Sequence, residues 1–323
     1  MLDYDEYNES RRVSPAAAFF ILLGLLGAGL VAGTLAGMGV WTAMTGHGFF
    51  SGLKTFEKDI LNPQYANAAR VMQMVSVLFM FFIPAVVTAR LMSRTPFKYL
   101  GFREGFNSRQ LALTVGIIII CLPLVGALGE LNQAIPLTKS LETIFKKLED
   151  NYNEQVEALA TMHSSAEFIF SLVVMALFPA IFEETIFRGA LQQILVAWFK
   201  KPMLAIIVTS IIFSAVHISY FGFLPRFALG VVLGLLFYYS KSIWLNMTAH
   251  FLNNAFAISY MYYLYTNGKP LKDANTESGP VWMGIPALIL VILLLRYFQQ
   301  VSLKRNISKI PPMDGPSFES TLV

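Results

Sequence analysis

Residues 168–188 read FIFSLVVMALFPAIFEETIFR, and this stretch decides what kind of protein the chain forms. Its first part, 168–182, is almost entirely apolar. It is followed by two adjacent carboxylates, Glu183 and Glu184, and then by Arg188. An ionisable side chain at the centre of a membrane helix costs about 2.5–3.5 kcal/mol. Such residues are kept where polar partners lie nearby in space, and they indicate a functional site.

The composition of the whole chain is that of an integral membrane protein. Of its 323 residues, 55% are hydrophobic and 14% are charged, whereas about 25% of residues are charged in a soluble domain. The single cysteine, Cys121, excludes a disulfide framework and a cysteine metal site. The net charge of +4 is better explained by basic loops at a membrane than by nucleic-acid binding. The expected partners are therefore membrane lipids and a protein or peptide substrate, with no nucleic acid.

The succession of apolar runs predicts an all-α polytopic membrane protein with a bundle of about eight transmembrane helices. The predicted helices are 15–44, 67–92, 110–131, 166–199, 203–217, 225–239, 243–263 and 281–300. A stretch of different character separates the third helix from the fourth, because apolar residues there recur at helical spacing among charged ones. The predicted organisation is a cytoplasmic tail (1–14), N-terminal transmembrane helices (15–135), an amphipathic extramembrane segment (136–164), a catalytic transmembrane core (165–303) and a disordered cytoplasmic tail (304–323).

The distribution of Lys and Arg predicts the orientation. The densest basic cluster, Arg94, Lys98, Arg103 and Arg109, lies between the second and third helices. Eight crossings place both termini on the side of that cluster, and basic loops are retained in the cytoplasm. The sequence therefore predicts a bacterial inner membrane protein with both termini cytoplasmic.

Two later apolar segments carry polar side chains that are candidates to meet Glu183. The first is Phe213-Ser-Ala-Val-His217 and the second is His250-Phe-Leu-Asn-Asn254. His250 and Asn254 are four residues apart, so they share one face of a helix. Arg188 can pair with Glu184 at the same spacing and neutralise a charge that is costly to bury.

A depth argument supports convergence of these groups. Glu183 and His217 lie equally far in sequence from Lys200, at the tip of the hairpin between the fourth and fifth helices. At 1.5 Å per residue, each lies roughly 25 Å from that tip. His250 follows the basic turn at Lys241, which predicts a polar cavity that opens to the cytoplasm between the fourth, fifth and seventh helices.

A carboxylate, two imidazoles and an amide support two kinds of hydrolysis. In one, Glu183, His217 and His250 ligate a divalent metal such as zinc, which lowers the pKa of a bound water, and Glu184 acts as the general base. In the other, Glu183 and His217 activate water without a metal, and His250 with Asn254 stabilises the oxyanion. Both schemes cleave a peptide or amide bond, and the residues leave the choice open.

The ordered set of motifs resembles the CPBP (Abi) family of intramembrane proteases, which includes the type II CAAX prenyl proteases. The motifs are Glu183-Glu184-x-x-x-Arg188, Phe213-x-x-x-His217 and His250-x-x-x-Asn254, and the resemblance covers roughly residues 165–260. It implies proteolysis within the membrane by an enzyme of a kind commonly classed with the metalloendopeptidases. By match to the motifs, Glu183 and His217 activate water, His250 and Asn254 complete the site, and Glu184, Arg188 and Phe213 support it.

Two other functions fit part of the pattern. A non-catalytic membrane scaffold, or a partner of the bacteriocin-immunity type, could use the same fold for binding, but it has no need of the complete acid, base and amide set. An ion-coupled transporter could relay protons through Glu183, Glu184 and the histidines. A transporter is expected to contain paired broken helices in two related halves, and the sequence has no such repeat.

Overall fold

The computed structural model describes residues 13–270 and 281–308, and within these ranges the chain is helical and contains no strand. The predicted all-α class is therefore confirmed. Most of the predicted N-terminal tail, 1–14, most of the predicted loop 266–279 and the C-terminal residues 309–323 lie outside the described residues.

Most of the described residues belong to helices. In chain order they are α1 (Pro15–Thr45), α2 (Phe49–Asp59), α3 (Pro63–Met92), α4 (Pro96–Tyr99), α5 (Ser108–Gln133), α6 (Lys139–Ala160), α7 (Ser165–Phe199), α8 (Pro202–Ala215), α9 (Phe223–Ser240), α10 (Ile243–Thr266) and α11 (Gly284–Ser308).

Six of the described helices are long and apolar enough to cross a membrane: α1, α3, α5, α7, α9 and α11. The predicted count of eight is not confirmed. Helix α8 is apolar but has 14 residues, fewer than the roughly 20 that a bilayer requires. Helix α10 has 24 residues, but it carries Asn246, His250, Asn253 and Asn254, which lower its hydropathy. The two predicted spans that are too short or too polar, α8 and α10, contribute Phe213 and His250 to the motifs.

Two apolar cores lie side by side in the bundle. One is formed by α1, α3, α7 and α8, with Leu22, Ala89 and Ile186 among its buried residues. The other is formed by α5, α9, α10 and α11, with Ile117 and Leu233 among its buried residues. Helix α7 meets α9 and α10 where the two cores adjoin, and the polar residues of the sequence motifs lie along this seam.

Helices α3 and α7 each contain a proline and remain continuous. In α3 a π-helical turn, Leu78–Phe82, precedes Pro84. In α7 a π-helical turn, Leu172–Leu177, precedes Pro179. A proline ring clashes with the carbonyl of the preceding turn and lacks a hydrogen-bond donor, and the wider turn accommodates both effects. A third π-helical segment, Thr185–Gln192, follows Glu184 directly.

The C-terminal helix extends beyond its predicted limit. Helix α11 continues to Ser308, so the disordered tail predicted from residue 304 begins too early. Its end is held because Gln110 donates a buried hydrogen bond of 2.9 Å to Ser302.

The predicted amphipathic segment is occupied by helix α6, and Arg70 donates to the carbonyls of Leu159 and Thr161 at the C-terminal end of that helix.

Three buried glycines of α1, Gly29, Gly33 and Gly37, are spaced by four residues, which predicts a smooth ridge for close helix packing. A Cβ atom at Gly29 would lie 2.5 Å from the carbonyl oxygen of Phe79, and one at Gly33 would lie 2.6 Å from that of Ser76. Ser76 also donates its hydroxyl to the carbonyl of Gly33 at 3.0 Å. Helices α1 and α3 therefore touch through their backbones.

We expect Gly33→Ala to lower the thermal stability of the purified protein, because overpacking a close contact costs about 1–3 kcal/mol. Gly24→Ala is the matched control, since no atom lies within 4 Å of a Cβ placed there. Its midpoint of thermal unfolding in detergent should equal or exceed that of the wild type, because alanine favours a helix. Equal midpoints for the two variants would show that α1 and α3 do not pack closely.

Candidate active site

Two buried charges from α7 form the centre of the candidate site. Glu184 and Arg188 are both 0% exposed, and Arg188 Nη1 donates to Glu184 Oε1 at 2.7 Å. Arg188 Nη2 donates to the carbonyl of Gly230 on α9 at 3.2 Å, and the guanidinium carbon lies 4.5 Å from the centroid of the Phe213 ring. The predicted i,i+4 pair is thus present, and it compensates both charges within the bundle.

Helix α10 presents two polar side chains to this pair. His250, which is 4% exposed, donates from Nδ1 to Glu184 Oε1 at 2.8 Å. Asn246, one turn earlier, donates from Nδ2 to Glu184 Oε2 at 3.3 Å and to the carbonyl of Leu233 at 2.6 Å. Glu184 therefore accepts from three side chains and is an orienting group rather than a free base.

Glu183 faces the other nitrogen of the same imidazole. Its Oε2 lies 3.9 Å from His250 Nε2, and the side chain of Glu183 is 13% exposed. This oxygen is buried and makes no hydrogen bond within the described residues. The separation is too long for a direct hydrogen bond and suits a shared water molecule. With Nδ1 committed to Glu184, the neutral ring offers the lone pair of Nε2 toward Glu183.

His217 lies after the end of α8, in the connection 216–222, and not on the helix as predicted. Its Nδ1 donates to the carbonyl of Phe213 at 2.8 Å, so Nε2 of the neutral ring is free to accept. Burial lowers the pKa of His217 below its usual value of 6.5, and the charge of Glu183 offsets part of this effect. His217 is consequently neutral at neutral pH.

Phe213 links the two imidazoles. Its ring packs edge-to-face against His217, with centroids 5.2 Å apart, and against His250, with centroids 5.8 Å apart. It also packs edge-to-face against Phe187 of α7 at 5.1 Å. The phenyl ring therefore contacts both histidines and α7 at once.

The connection that carries His217 is strained and held from outside the bundle. Ile218 has φ of 51°, a left-handed conformation that is costly for a β-branched residue. The hydroxyl of Ser219 donates to Glu149 of α6 at 2.9 Å, and the rings of Tyr220 and Phe145 stack 4.4 Å apart. Helix α6 therefore positions His217, although it contributes no side chain to the motifs.

Asn254 makes one side-chain hydrogen bond among the described residues. It is half-buried, and its Oδ1 accepts a hydrogen bond of 3.3 Å from Asn253. Within the described part of the chain it makes no hydrogen bond to Glu183, His217 or His250. Because its oxygen is already engaged, the Nδ2 group of Asn254 is the end that remains to donate.

The donor atoms of the predicted metal site have suitable chemistry, because Nε2 of both histidines and a carboxylate oxygen of Glu183 are acceptors. A metal site also requires that these atoms lie close enough together to bind one ion. Among residues 13–270 and 281–308, no three His, Cys, Asp or Glu side chains are grouped so that they could hold a metal ion. Zinc ligation by Glu183, His217 and His250 therefore stays a prediction.

The Lys200 end of α7, where the sequence predicts the opening of the cavity, is closely packed. Every residue of Thr185–Gln192, between Glu184 and the Lys200 hairpin, is buried. Gly189 there packs against Leu100, and a Cβ atom added to Gly189 would lie 3.2 Å from the Leu100 carbonyl oxygen. Helix α7 packs closely against the residues before α5 at this end, so the cavity open at the Lys200 end stays a prediction.

Two residues that support the site are missing from the set predicted from the sequence. Asn246 precedes His250 by one helical turn, so its spacing from His250 and Asn254 could have revealed it. Asn132, at the end of α5, donates to the carbonyl of Tyr220 and accepts from the amide of Leu224, both at 2.9 Å. No local pattern identifies Asn132, because its partners are distant in sequence.

The fold and the site together define an all-helical membrane protein with a carboxylate and imidazole centre that can act on water. Residues 165–256, just over a quarter of the chain, match the family model described as type II CAAX prenyl endopeptidase Rce1-like. This match confirms the resemblance that the three motifs indicate, and it points to a membrane protease. Comparisons with curated proteins and with solved structures gave no match.

We expect Arg188→Met to lower the free energy of unfolding by about 3–5 kcal/mol, because it leaves the buried Glu184 carboxylate uncompensated. The double variant Glu184→Leu/Arg188→Met should recover much of this loss, since it removes both charges together. Equilibrium unfolding in mixed micelles measures both effects. A single Arg188→Met variant as stable as the wild type would show that the pair does not support the fold.

Proposed function

We propose that this protein is an intramembrane endopeptidase that hydrolyses a peptide bond of a membrane-associated protein or peptide. The observation that carries the proposal is the placement of Glu183 Oε2, which is buried, lacks a hydrogen-bond partner among the described residues and lies 3.9 Å from His250 Nε2. A water molecule bonded to both atoms is held between two acceptors. The match of residues 165–256 to an endopeptidase family supports this proposal independently.

Glu183 acts as the general base in this proposal. Its carboxylate takes a proton from the water while the oxygen of that water attacks the carbonyl carbon of the substrate. The carbonyl π bond opens and gives a tetrahedral oxyanion. When the carbon–nitrogen bond breaks, the protonated Glu183 returns the proton to the leaving amine, so the reaction consumes one water and regenerates the site.

The other side chains orient this step. His250 keeps its Nε2 toward the water because Nδ1 is bound to Glu184, which is itself fixed by Arg188 and Asn246. The Nδ2 group of Asn254 is the proposed donor to the oxyanion, a contribution that is typically worth about 10²–10³ in rate. Neutral His217 accepts a hydrogen bond from the substrate at Nε2.

If Glu183 is the base, Glu183→Gln should reduce cleavage by about 10²–10⁴-fold, because the amide cannot take the proton. Glu154→Gln is the matched control, since Glu154 is exposed on α6. The assay uses full-length protein in liposomes with membrane-anchored peptides, including peptides with a C-terminal CAAX sequence in prenylated and unmodified forms. Thermal unfolding of each variant shows whether its fold is retained.

Two results would redirect the proposal. Cleavage by Glu183→Gln at the wild-type rate would remove Glu183 from the chemistry. Binding of substrate by the wild type without any cleavage would favour the non-catalytic scaffold. Elemental analysis of the same preparation tests the cofactor: stoichiometric zinc that is lost in His250→Ala would assign the metal route, and activity that survives chelation would assign the metal-free one.

We further propose that the end of the bundle that carries the α3–α5 connection faces the cytoplasm of a bacterial cell, with both termini on that side. Exposed cations concentrate there, including Arg94, Lys98 and Lys200, and such residues are retained in the cytoplasm. The His217 connection and α6 then lie on the opposite side, and a substrate reaches Glu183 from that side or from the adjoining leaflet.

Cysteine labelling of intact cells tests this orientation. In a Cys121→Ala background, a membrane-impermeant maleimide should modify Lys146→Cys on exposed α6 and should leave Lys98→Cys unmodified until the cells are opened. The two positions are both exposed lysines, so their intrinsic reactivity is comparable. Modification of Lys98→Cys alone in intact cells would reverse the orientation.

A further inference from the structure

A surface cavity distinct from the candidate active site lies where α5 begins and α11 ends. Its volume is about 320 Å³. None of its lining residues belongs to the three motifs. The polar side chains of its lining are Asn107 and Arg109 at the start of α5, and Tyr297, Gln300, Lys304 and Arg305 on α11.

The lining of this cavity is strongly positive. Three of its seven lining residues, Arg109, Lys304 and Arg305, are cationic and none is acidic. Within the described residues, neither Arg109 nor Lys304 has a carboxylate at ion-pairing distance. Like charges gathered at one concave surface repel each other and raise the local concentration of an anion.

The cavity lies at the ends of two candidate membrane spans. Helices α5 and α11 are both candidate membrane spans, and the cavity is formed by the ends of these spans. Tyr297 is an exposed aromatic residue on its wall, of the kind that is enriched where a membrane meets water. The buried hydrogen bond between Gln110 and Ser302 joins the two helix ends and fixes the walls.

The first turn of α5 does not itself supply the anion site. Asn107 accepts from the backbone amide of Gln110 at 2.8 Å, and the Gln110 side chain accepts from the Asn107 amide at 3.1 Å. This reciprocal cap already satisfies donors of the helix terminus. The attraction for an anion therefore comes from the side chains of Arg109 and Lys304.

We propose that this cavity binds a phosphate group, with its negative charge held by Arg109 and Lys304 and with the amide of Gln300 and the hydroxyl of Tyr297 within reach as further donors. Guanidinium and ammonium groups are the usual phosphate ligands, and basic pockets between membrane helices bind phospholipid headgroups. The phosphate belongs to an anionic phospholipid or is free in solution, and the chemistry of recognition is the same for both. The proposal does not depend on the proteolytic function.

The test uses the full-length protein in nanodiscs made of phosphatidylcholine, with or without phosphatidylglycerol. Lipid retained after transfer to detergent is quantified by native mass spectrometry, and thermal unfolding is measured in parallel. We expect the wild type to retain phosphatidylglycerol, and we expect Arg109→Gln/Lys304→Gln to retain it about 30-fold more weakly, which corresponds to the loss of two membrane-surface cations.

Arg94→Gln/Lys98→Gln is the matched control, because it removes two exposed cations from the same end of the bundle but outside the cavity. It should retain phosphatidylglycerol as the wild type does. The variant Arg109→Lys preserves the charge and should also bind. Equal retention by the wild type and the cavity variant, or equal loss in the control, would overturn the proposal.

A titration with inorganic phosphate in detergent distinguishes the two sources. Stabilisation of the wild type by phosphate alone, absent in Arg109→Gln/Lys304→Gln, would assign the site to a soluble phosphate. Stabilisation by phosphatidylglycerol and not by inorganic phosphate would assign it to the lipid. Absence of both effects in the wild type would show that the cavity holds no phosphate group.

Discussion

The buried pair of Glu184 and Arg188 is the constraint on which the central part of the structure depends. Two charges with no exposed surface must be compensated inside the bundle, and the compensation recruits groups from other helices. Arg188 needs the carbonyl of Gly230, so α9 must lie against α7. A Cβ at Gly230 would be 3.0 Å from Ser210 on α8, so the glycine also lets α8 and α9 approach each other closely.

The same ion pair fixes the orientation of His250 in the candidate site. Because Glu184 accepts from Nδ1 of His250, the ring of His250 has one orientation, and its Nε2 is directed to Glu183. Adjacent carboxylates thus have different tasks: Glu184 is saturated with hydrogen bonds, whereas Glu183 has a buried oxygen with none among the described residues. Two side chains of identical chemistry are distinguished by their surroundings alone, as neighbouring carboxylates in hydrolases often are.

Sequence patterns predict the features that depend on one helix at a time. The all-helical class follows from long apolar runs, and the ion pair of Glu184 with Arg188 follows from i,i+4 spacing. These predictions succeed because position along a helix and position around it are set by local geometry.

Features that depend on how several helices are arranged cannot be predicted in this way. The close packing of Gly189 against Leu100 is not predicted, because the two residues are far apart in the chain. The sequence also places His217 on α8, because nothing in the apolar run shows that the helix stops at Ala215. Asn132 is not predicted because its partners, Tyr220 and Leu224, are distant from it in sequence.

Two parts of the site are therefore held in place by different kinds of contact. Glu183, Glu184 and His250 lie on continuous helices that are fixed by a buried ion pair, so their geometry is costly to disturb. His217 lies on a connection with a strained residue, Ile218, and such strain persists only when surrounding contacts impose it. Those contacts come from Asn132 and from α6, through Ser219 and Tyr220. The amphipathic helix α6 thus determines the position of one imidazole, while the charges within the bundle determine the position of the other.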